Sequence, residues 1–258
     1  SDRLESDLKQ TDAIVTSLKT DISSDLAPHA AHGRKALISL NGRPAVSYLL
    51  RNLRDCDAVS RIVLVTDQPD VECSADADVC IDAGGDIADS VLAGLKAVAD
   101  SERCLIMNGD MPLASTAALC DLLSCAPESD IVYPVVEKAD VCEFFPGRSP
   151  FYVNTREGQF TGSSCLLFRP QAVLAKKETL IRLLNARSNP KELLALVGPG
   201  FAMKLVLTKL ALGEFETHLS RALNLNCRVF VTHFPELLVS IDKPSDIPMM
   251  ERELARIG

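Results

Sequence analysis

DAIVTSLKTDISSDLAPHAAHGRKALISLNGRP, residues Asp12 to Pro44, decides how the chain is read. It opens on a short apolar run, Ala13 to Val15, which predicts a buried strand over Asp12 to Thr16. A long polar loop follows, then Lys35, a second apolar run and a Gly-Arg-Pro turn. Strand, loop and basic residue in this order is where an α/β nucleotide-binding domain places its phosphate cradle. Such a cradle is normally rich in glycine, because backbone N–H groups must approach phosphates closely and often at positive φ. Here the loop begins Ser17-Leu18-Lys19-Thr20, and no glycine comes before Gly33.

Outward from this stretch the patterns alternate. Pro44 to Arg54 has helical spacing, with proline suited to a first turn. Arg61 to Thr66 is a near-continuous β-branched run, the mark of a strand covered on both faces. A short strand at Val79 to Asp82, an amphipathic helix over Asp86 to Ala99 and a strand at Arg103 to Asn108 come next. A helix from about Ser115 to Ser124 and a strand at Asp130 to Val136 continue the series. Strands alternating with helices imply right-handed βαβ units and a parallel sheet. The expected fold is α/β, a three-layer doubly wound domain with ligands at the carboxyl ends of its strands. From Gln171 to Leu225 the texture turns leucine-rich and helical, broken at Asn189-Pro190 and Gly198-Pro199-Gly200. The chain then returns to a strand, Arg228 to Thr232, and a helix after Pro244. The expected organisation is an α/β domain over 1–170 and 226–258, with a helical insert at 171–225 packed on it.

Composition narrows the partners. Of 258 residues 47% are apolar, enough for a substantial core, and the net charge of −8 comes with no basic run. That balance argues against nucleic acid and against an anionic membrane surface, and leaves a small anionic substrate only through a local basic site. Nine cysteines, an odd number without a CxxC, read as reduced buried thiols rather than a disulfide framework or a zinc site. SDRLESDLKQ at the start has no leader pattern, and the most apolar window, Phe201 to Leu212, is too short to span a bilayer and holds two lysines. The expectation is a soluble cytoplasmic protein.

Several polar segments follow strands, where chemistry belongs. In NGDMP, Asn108 to Pro112, Asp110 reads either as a Mg²⁺ ligand or as a cap for the next helix. In IDKPSD, Ile241 to Asp246, Asp242 reads as a second metal ligand or as part of a plain helix entry. Lys35 is either a phosphate-neutralising ammonium or a solvated surface lysine. Gly84 and Gly85 would let backbone approach a planar base, or only make a tight turn. Gly162 and Ser163, in FTGSS, are a substrate-facing loop or a bulge. The four histidines make no metal or triad set.

The order of these pieces resembles the MobA-like group of NTP transferases, over nearly the entire chain. KALISLNGRP, Lys35 to Pro44, is similar to the group's lysine and "GKP" turn; Gly109-Asp110-Met111-Pro112 is similar to its GDxP carboxylate; Ser240 to Asp246 matches its C-terminal DxDxPxD-like motif in part. The resemblance implies the mainly parallel, GT-A-like nucleotidyltransferase fold. It also implies attack by an acceptor phosphate on the α-phosphate of an NTP, with pyrophosphate released. Lys35, Asp110 and Asp242 would be the catalytic residues, the two aspartates holding Mg²⁺. Ser17, Leu18, Lys19, Gly84, Gly85, Asn108, Gly162 and Ser163 would line the nucleotide and substrate site. The chain departs from the group where Ala-Gly-Gly becomes Ser17-Leu18-Lys19, where Thr-Gly-Gly-Asn becomes Thr161 to Ser164, and at Ser240. Two readings follow: an active Mg²⁺-dependent nucleotidyltransferase for a small phosphorylated acceptor, or a catalytically degenerate relative acting as a nucleotide-binding or interaction module. The leucines at 205, 207, 210 and 212 suggest a lid or a homodimer contact, or else burial in a small core of the insert's own.

Overall fold

A computed structural model describes residues 10–19, 22–67, 75–83, 87–186 and 210–257 of the chain. β1 (Thr11–Ser17) pairs in parallel with β4 (Val59–Thr66) on one side and with β6 (Arg103–Asn108) on the other. Side chains along these strands alternate between two cores, as a period of two requires. Ala13, Val15, Ile62, Leu64, Leu105 and Met107 face one cluster, while Ile14, Val63, Val65 and Cys104 face the other. Burial on both sides is why these strands read as unbroken apolar runs.

Helices close both faces. α1 (Ala45–Arg54) and α3 (Thr116–Cys125) cover the first cluster; α2 (Ile87–Ala97) covers the second. α1 buries Val46, Leu49, Leu50 and Leu53 on one stripe, each worth roughly 1.5–3 kcal/mol in transfer from water. α3 starts at Ser115, whose Oγ accepts the N–H of Ala118 and donates to Glu236. β5 (Val79–Asp82) extends the parallel sheet beyond β4.

Past β6 the sheet becomes mixed. β10 (Cys165–Phe168) lies antiparallel between β6 and β7 (Ile131–Glu137), and β9 (Gln159–Gly162) and β8 (Val153–Asn154) continue the antiparallel edge. β11 (Cys227–Thr232) pairs in parallel with β7. The whole is a mostly parallel α/β sheet flanked by helices, as expected. The antiparallel strands β8 to β10 are an addition to the expected pattern, since the strands themselves are only two to four residues long.

Among the described residues three further helices fall in or beside the expected insert: α5 (Pro170–Leu174), α6 (Lys177–Ala186) and α7 (Leu212–Leu223). α6 packs on α2, and α7 packs on β11. Leu210 is buried and bridges to Thr155, whereas Leu205 and Leu207 lie outside the described residues. α4 (Lys138–Phe144) follows β7, and α8 (Asp246–Ile257) closes the C-terminal part. Among the described residues no helix is long and apolar enough to cross a membrane. Among the described residues no two cysteines are joined in a disulfide, and Cys56 and Cys120 place their sulfurs 2.8 Å apart.

The end of β6 is held tightly against the end of β1. Gly109 donates its N–H to the Thr16 carbonyl at 2.8 Å. A Cβ at Gly109 would lie 2.9 Å from Ala36 Cβ, 3.0 Å from the Thr16 carbonyl oxygen and 3.0 Å from Val46 Cγ2. None of these neighbours is the free end of a flexible side chain. Gly109→Ala should therefore cost about 1–3 kcal/mol, measured by urea denaturation; unchanged stability would mean the two strand ends are looser than described.

Candidate active site

Lys35 is placed by its neighbours. The loop from residue 22 to Ile38 folds as consecutive 3₁₀ turns, Ala27–His29, Ala31–Gly33 and Lys35–Leu37. His32 and Gly33 take positive φ, 54° and 73°, and turn the chain back toward the sheet. Arg34 then anchors it: the buried guanidinium pairs with Asp67, just past β4, at 2.5 Å through both Nε and Nη2, and donates Nη1 to the His32 carbonyl. Beyond the lysine, Ile38 and Leu40 enter a third apolar cluster with Val239, Ile241 and Met250. Lys35 and Asp242 thus meet because hydrophobic residues on both their segments share one core.

Asp110 comes from the opposite direction, two residues after β6. Its carbonyl accepts the N–H of Ile241 at 3.1 Å, which ties the Asp242 turn to the β6 end. The turn itself is set by Asp246, almost fully buried, whose Oδ2 accepts the N–H groups of Asp242 at 2.9 Å and of Lys243 at 3.0 Å. The result is a charged cluster in which Lys35 Nζ lies 2.9 Å from Asp242 Oδ1 and 3.4 Å from Asp110 Oδ2.

The members differ in solvation. The Asp242 side chain is 60% exposed, that of Asp110 only 10%. Asp110 Oδ1 is buried and has no hydrogen-bond partner among the described residues. Burial holds the Asp110 carboxyl above its ordinary range; Lys35 offsets this in part and the Asp242 charge adds to it. Burial alone would depress the Lys35 ammonium, but Asp110 and Asp242 outweigh it and hold its pKa above the ordinary value. Two carboxylates converge here, one with an orphaned oxygen in low dielectric, and that is the donor chemistry of a hard divalent cation. Among the described residues no group of three or more His, Cys, Asp or Glu side chains is arranged to hold a metal. Such an ion would need substrate oxygens or water to complete its shell.

The cluster stands at the mouth of a cleft of about 740 Å³ along the carboxyl ends of β1 and β6. These strands flank the point where the strand order reverses, the position at which open α/β sheets bind ligands. Lys35, Asp110, Asn108, Leu18 and Ser163 all line it. Thr16 and Asn108 hydrogen-bond across the floor at 3.2 Å. Ser17 is buried with its Oγ unpartnered, and it is not on the cleft wall. Lys19 is exposed, with its aliphatic chain beside Gly33. Gly162 lies behind Tyr133 in a smaller apolar cavity: a Cβ there would fall 1.8 Å from the Tyr133 hydroxyl, so glycine lets the ring occupy its place. Gly84 and Gly85 lie outside the described residues. Thr16, at the end of the first predicted strand, and Ser164, in FTGSS, line the cleft as well; Tyr133 and the apolar side formed by Ile87, Val91, Ile106 and Leu166 were missed by the sequence reading. Only strand alternation marked any of them, and it does not separate cleft from core.

Residues 30–199 match the family model described as the MobA-like NTP transferase domain. The chain belongs to that family. Its class is therefore that of nucleotidyltransferases, which draw on a nucleoside triphosphate. The matched span of this NTP transferase includes Lys35 and Asp110 and stops short of Asp242. No curated protein matches the chain by sequence. Among solved structures, a hypothetical transferase from Thermus thermophilus is 30% identical with a TM-score of 0.82, covering 92% of this chain and 99% of its own. The 4-diphosphocytidyl-2C-methyl-D-erythritol synthase of Anaerococcus prevotii has a TM-score of 0.60 at 16% identity, over 97% of this chain and 100% of its own. A CMP:2-keto-3-deoxy-manno-octonic acid synthetase complexed with CTP has a TM-score of 0.64 at 14% identity, over 96% of this chain and 100% of its own. The last two share the fold.

Because the Asp110 pKa is raised in the folded state, its ionisation costs stability as pH climbs from the unfolded value through the raised one. Asp110→Asn removes that cost while Asp242 still pairs Lys35. The ligand-free variant should match or exceed wild type in Tm at neutral pH, with the gap closing as pH falls below the ordinary carboxylate range. A scanning calorimetry series in which the variant is less stable at every pH would show that the carboxylate is a structural partner instead.

Proposed function

We propose that this NTP transferase moves a nucleoside monophosphate from an NTP to the phosphate of a small soluble acceptor in the cytoplasm, releasing pyrophosphate and using Mg²⁺. The convergence of Lys35, Asp110 and Asp242 at the mouth of the main cleft carries this reading. An acceptor phosphate is already anionic, so its oxygen attacks the α-phosphorus without a general base. The new P–O bond forms as the bond to the bridging oxygen of the pyrophosphate breaks. The protein's task is to orient the two phosphates and to neutralise charge. Lys35 does the second, its ammonium kept protonated by both aspartates. Asp110 and Asp242 would hold Mg²⁺, which when bound would supply charge stabilisation for the triphosphate and the leaving pyrophosphate. The orphaned Asp110 Oδ1 supports that assignment, since a cation there satisfies an oxygen that otherwise has no partner. Residues 171–225 act as a helical insert on the α/β unit, either as a lid or as a homodimer contact.

A second reading rests on Leu18. Its side chain lines the cleft at a position where a phosphate cradle normally has glycine, and this favours a relative that binds nucleotide or a partner without turning over. Titration calorimetry with each of the four NTPs, with and without Mg²⁺, separates the two. The transferase requires Mg²⁺-dependent binding of at least one NTP, and the CTP complex of the synthetase with this fold makes CTP the first to try. With the preferred NTP, Lys35→Ala should lower kcat/KM by about 10²–10³-fold. Replacing Leu18 and Lys19 together by glycine should tighten NTP binding, because backbone N–H groups regain access. If wild type binds no NTP and the double-glycine variant binds none either, the transferase reading fails.

A further inference from the structure

Beside the main cleft lies a smaller recess of about 280 Å³, lined by Arg148, Ser149, Ser164, Ser240 and Lys243 with Asp242 and Asp246. Ser164 belongs to both hollows, and Lys35 on the cleft wall bonds Asp242 on the recess wall. The charged cluster therefore stands between two compartments of unequal size. Only the larger has room for a nucleoside triphosphate.

Arg148 is prepared for an anion. Its side chain is 16% exposed, and it donates Nη2 to the Ser240 carbonyl at 2.8 Å. Its nearest carboxylates, Asp246 at 3.1 Å and Asp242 at 3.9 Å, also lie on Nη2. Nε and Nη1 have no hydrogen-bond acceptor among the described residues. The negative charges lining the recess are already engaged. Asp246 accepts two backbone N–H groups besides facing Arg148, and Asp242 takes Lys35 on Oδ1 and the Ser240 hydroxyl on Oδ2. Lys243 is exposed and has no carboxylate partner among the described residues. Ser240 donates to Asp242 and Ser164 to the Leu238 carbonyl at 3.5 Å, which leaves the Ser149 hydroxyl. A half-occupied guanidinium braced by a buried aspartate, an ammonium without a carboxylate partner and this hydroxyl on one small recess suit a tetrahedral oxyanion.

On the reading that the main cleft takes the NTP, we propose that this recess is the acceptor site, in which Arg148 and Lys243 hold the acceptor's phosphate and present it across the cluster to the α-phosphate. The volume limits the acceptor to a compact phosphate monoester. Arg148 and Lys243 then decide which acceptors are used, separately from the residues that bind nucleotide.

The test uses the full chain with inorganic phosphate as the probe, followed by titration calorimetry. Wild type should bind phosphate. Lys243→Gln should weaken it about five- to tenfold, and Arg148→Lys, which keeps the charge and loses the planar fork, should weaken it as well. Arg148 also braces Asp246, so Lys243→Gln carries the test if Arg148→Lys does not fold. Lys243→Gln should keep wild-type affinity for the NTP. Absence of phosphate binding, or phosphate affinity lost in Lys35→Ala but unchanged in Lys243→Gln, overturns the acceptor site. Neither result touches the transferase reading, which depends on NTP and Mg²⁺ binding in the main cleft.

Discussion

One backbone hydrogen bond, from Ile241 N–H to the Asp110 carbonyl, joins two segments that are far apart in the chain, and the site depends on it. It fixes the end of β6 against the turn before α8. The two aspartates thereby share a single ammonium at distances of 2.9 and 3.4 Å. The apolar cluster of Ile38, Leu40, Val239, Ile241 and Met250 flanks this junction and shields the backbone bond, which strengthens it, while the Lys35–Asp242 pair stays open to water. Hydrophobic burial supplies the free energy; the polar contacts supply the register.

The same burial makes Asp110 an uncomfortable residue. A carboxylate with one oxygen unpartnered and its pKa pushed up is maintained against stability, the usual mark of a group kept for binding. Lys35 moderates the cost in the ligand-free protein and lines the cleft. Arg34, immediately before it, is committed to Asp67 and so fixes the loop instead of sharing the chemistry. Adjacent basic residues thus take opposite parts, one as an anchor inside the protein and one as a charge facing the cleft.

The first loop meets its constraints without a glycine-rich turn. Three short 3₁₀ turns and the Arg34–Asp67 pair give it a definite path, and the left-handed residues His32 and Gly33 come late, just before the lysine. Leu18 faces the cleft alongside Ile87, Val91, Ile106 and Leu166. One wall of the cleft is consequently apolar and the other, near Asp110, is charged. A nucleotide in it would meet aliphatic side chains along the first wall.

By itself the sequence determined the layer structure. Runs such as RIVLVT and RCLIMN read as strands buried on both faces, and helical spacing at Pro44 to Arg54 and Asp86 to Ala99 placed helices between them. The observed strands at 59–66 and 103–108 and helices at 45–54 and 87–97 follow, because periodicity is a local property that survives folding. The order Lys35, Asp110, Asp242 was legible too, each within a short motif that the sequence shows directly. Only the tertiary structure decided the rest. The strands β8 to β10 are too short to announce themselves, and β10 takes its place between β6 and β7 by pairing alone. The burial that separates Asp110 from Asp242, the anchoring of Arg34, the seat of Tyr133 over Gly162 and the free edge of Arg148 all arise between residues distant in the chain. Desolvation and hydrogen-bond geometry have no one-dimensional signature, so no local pattern could have shown them.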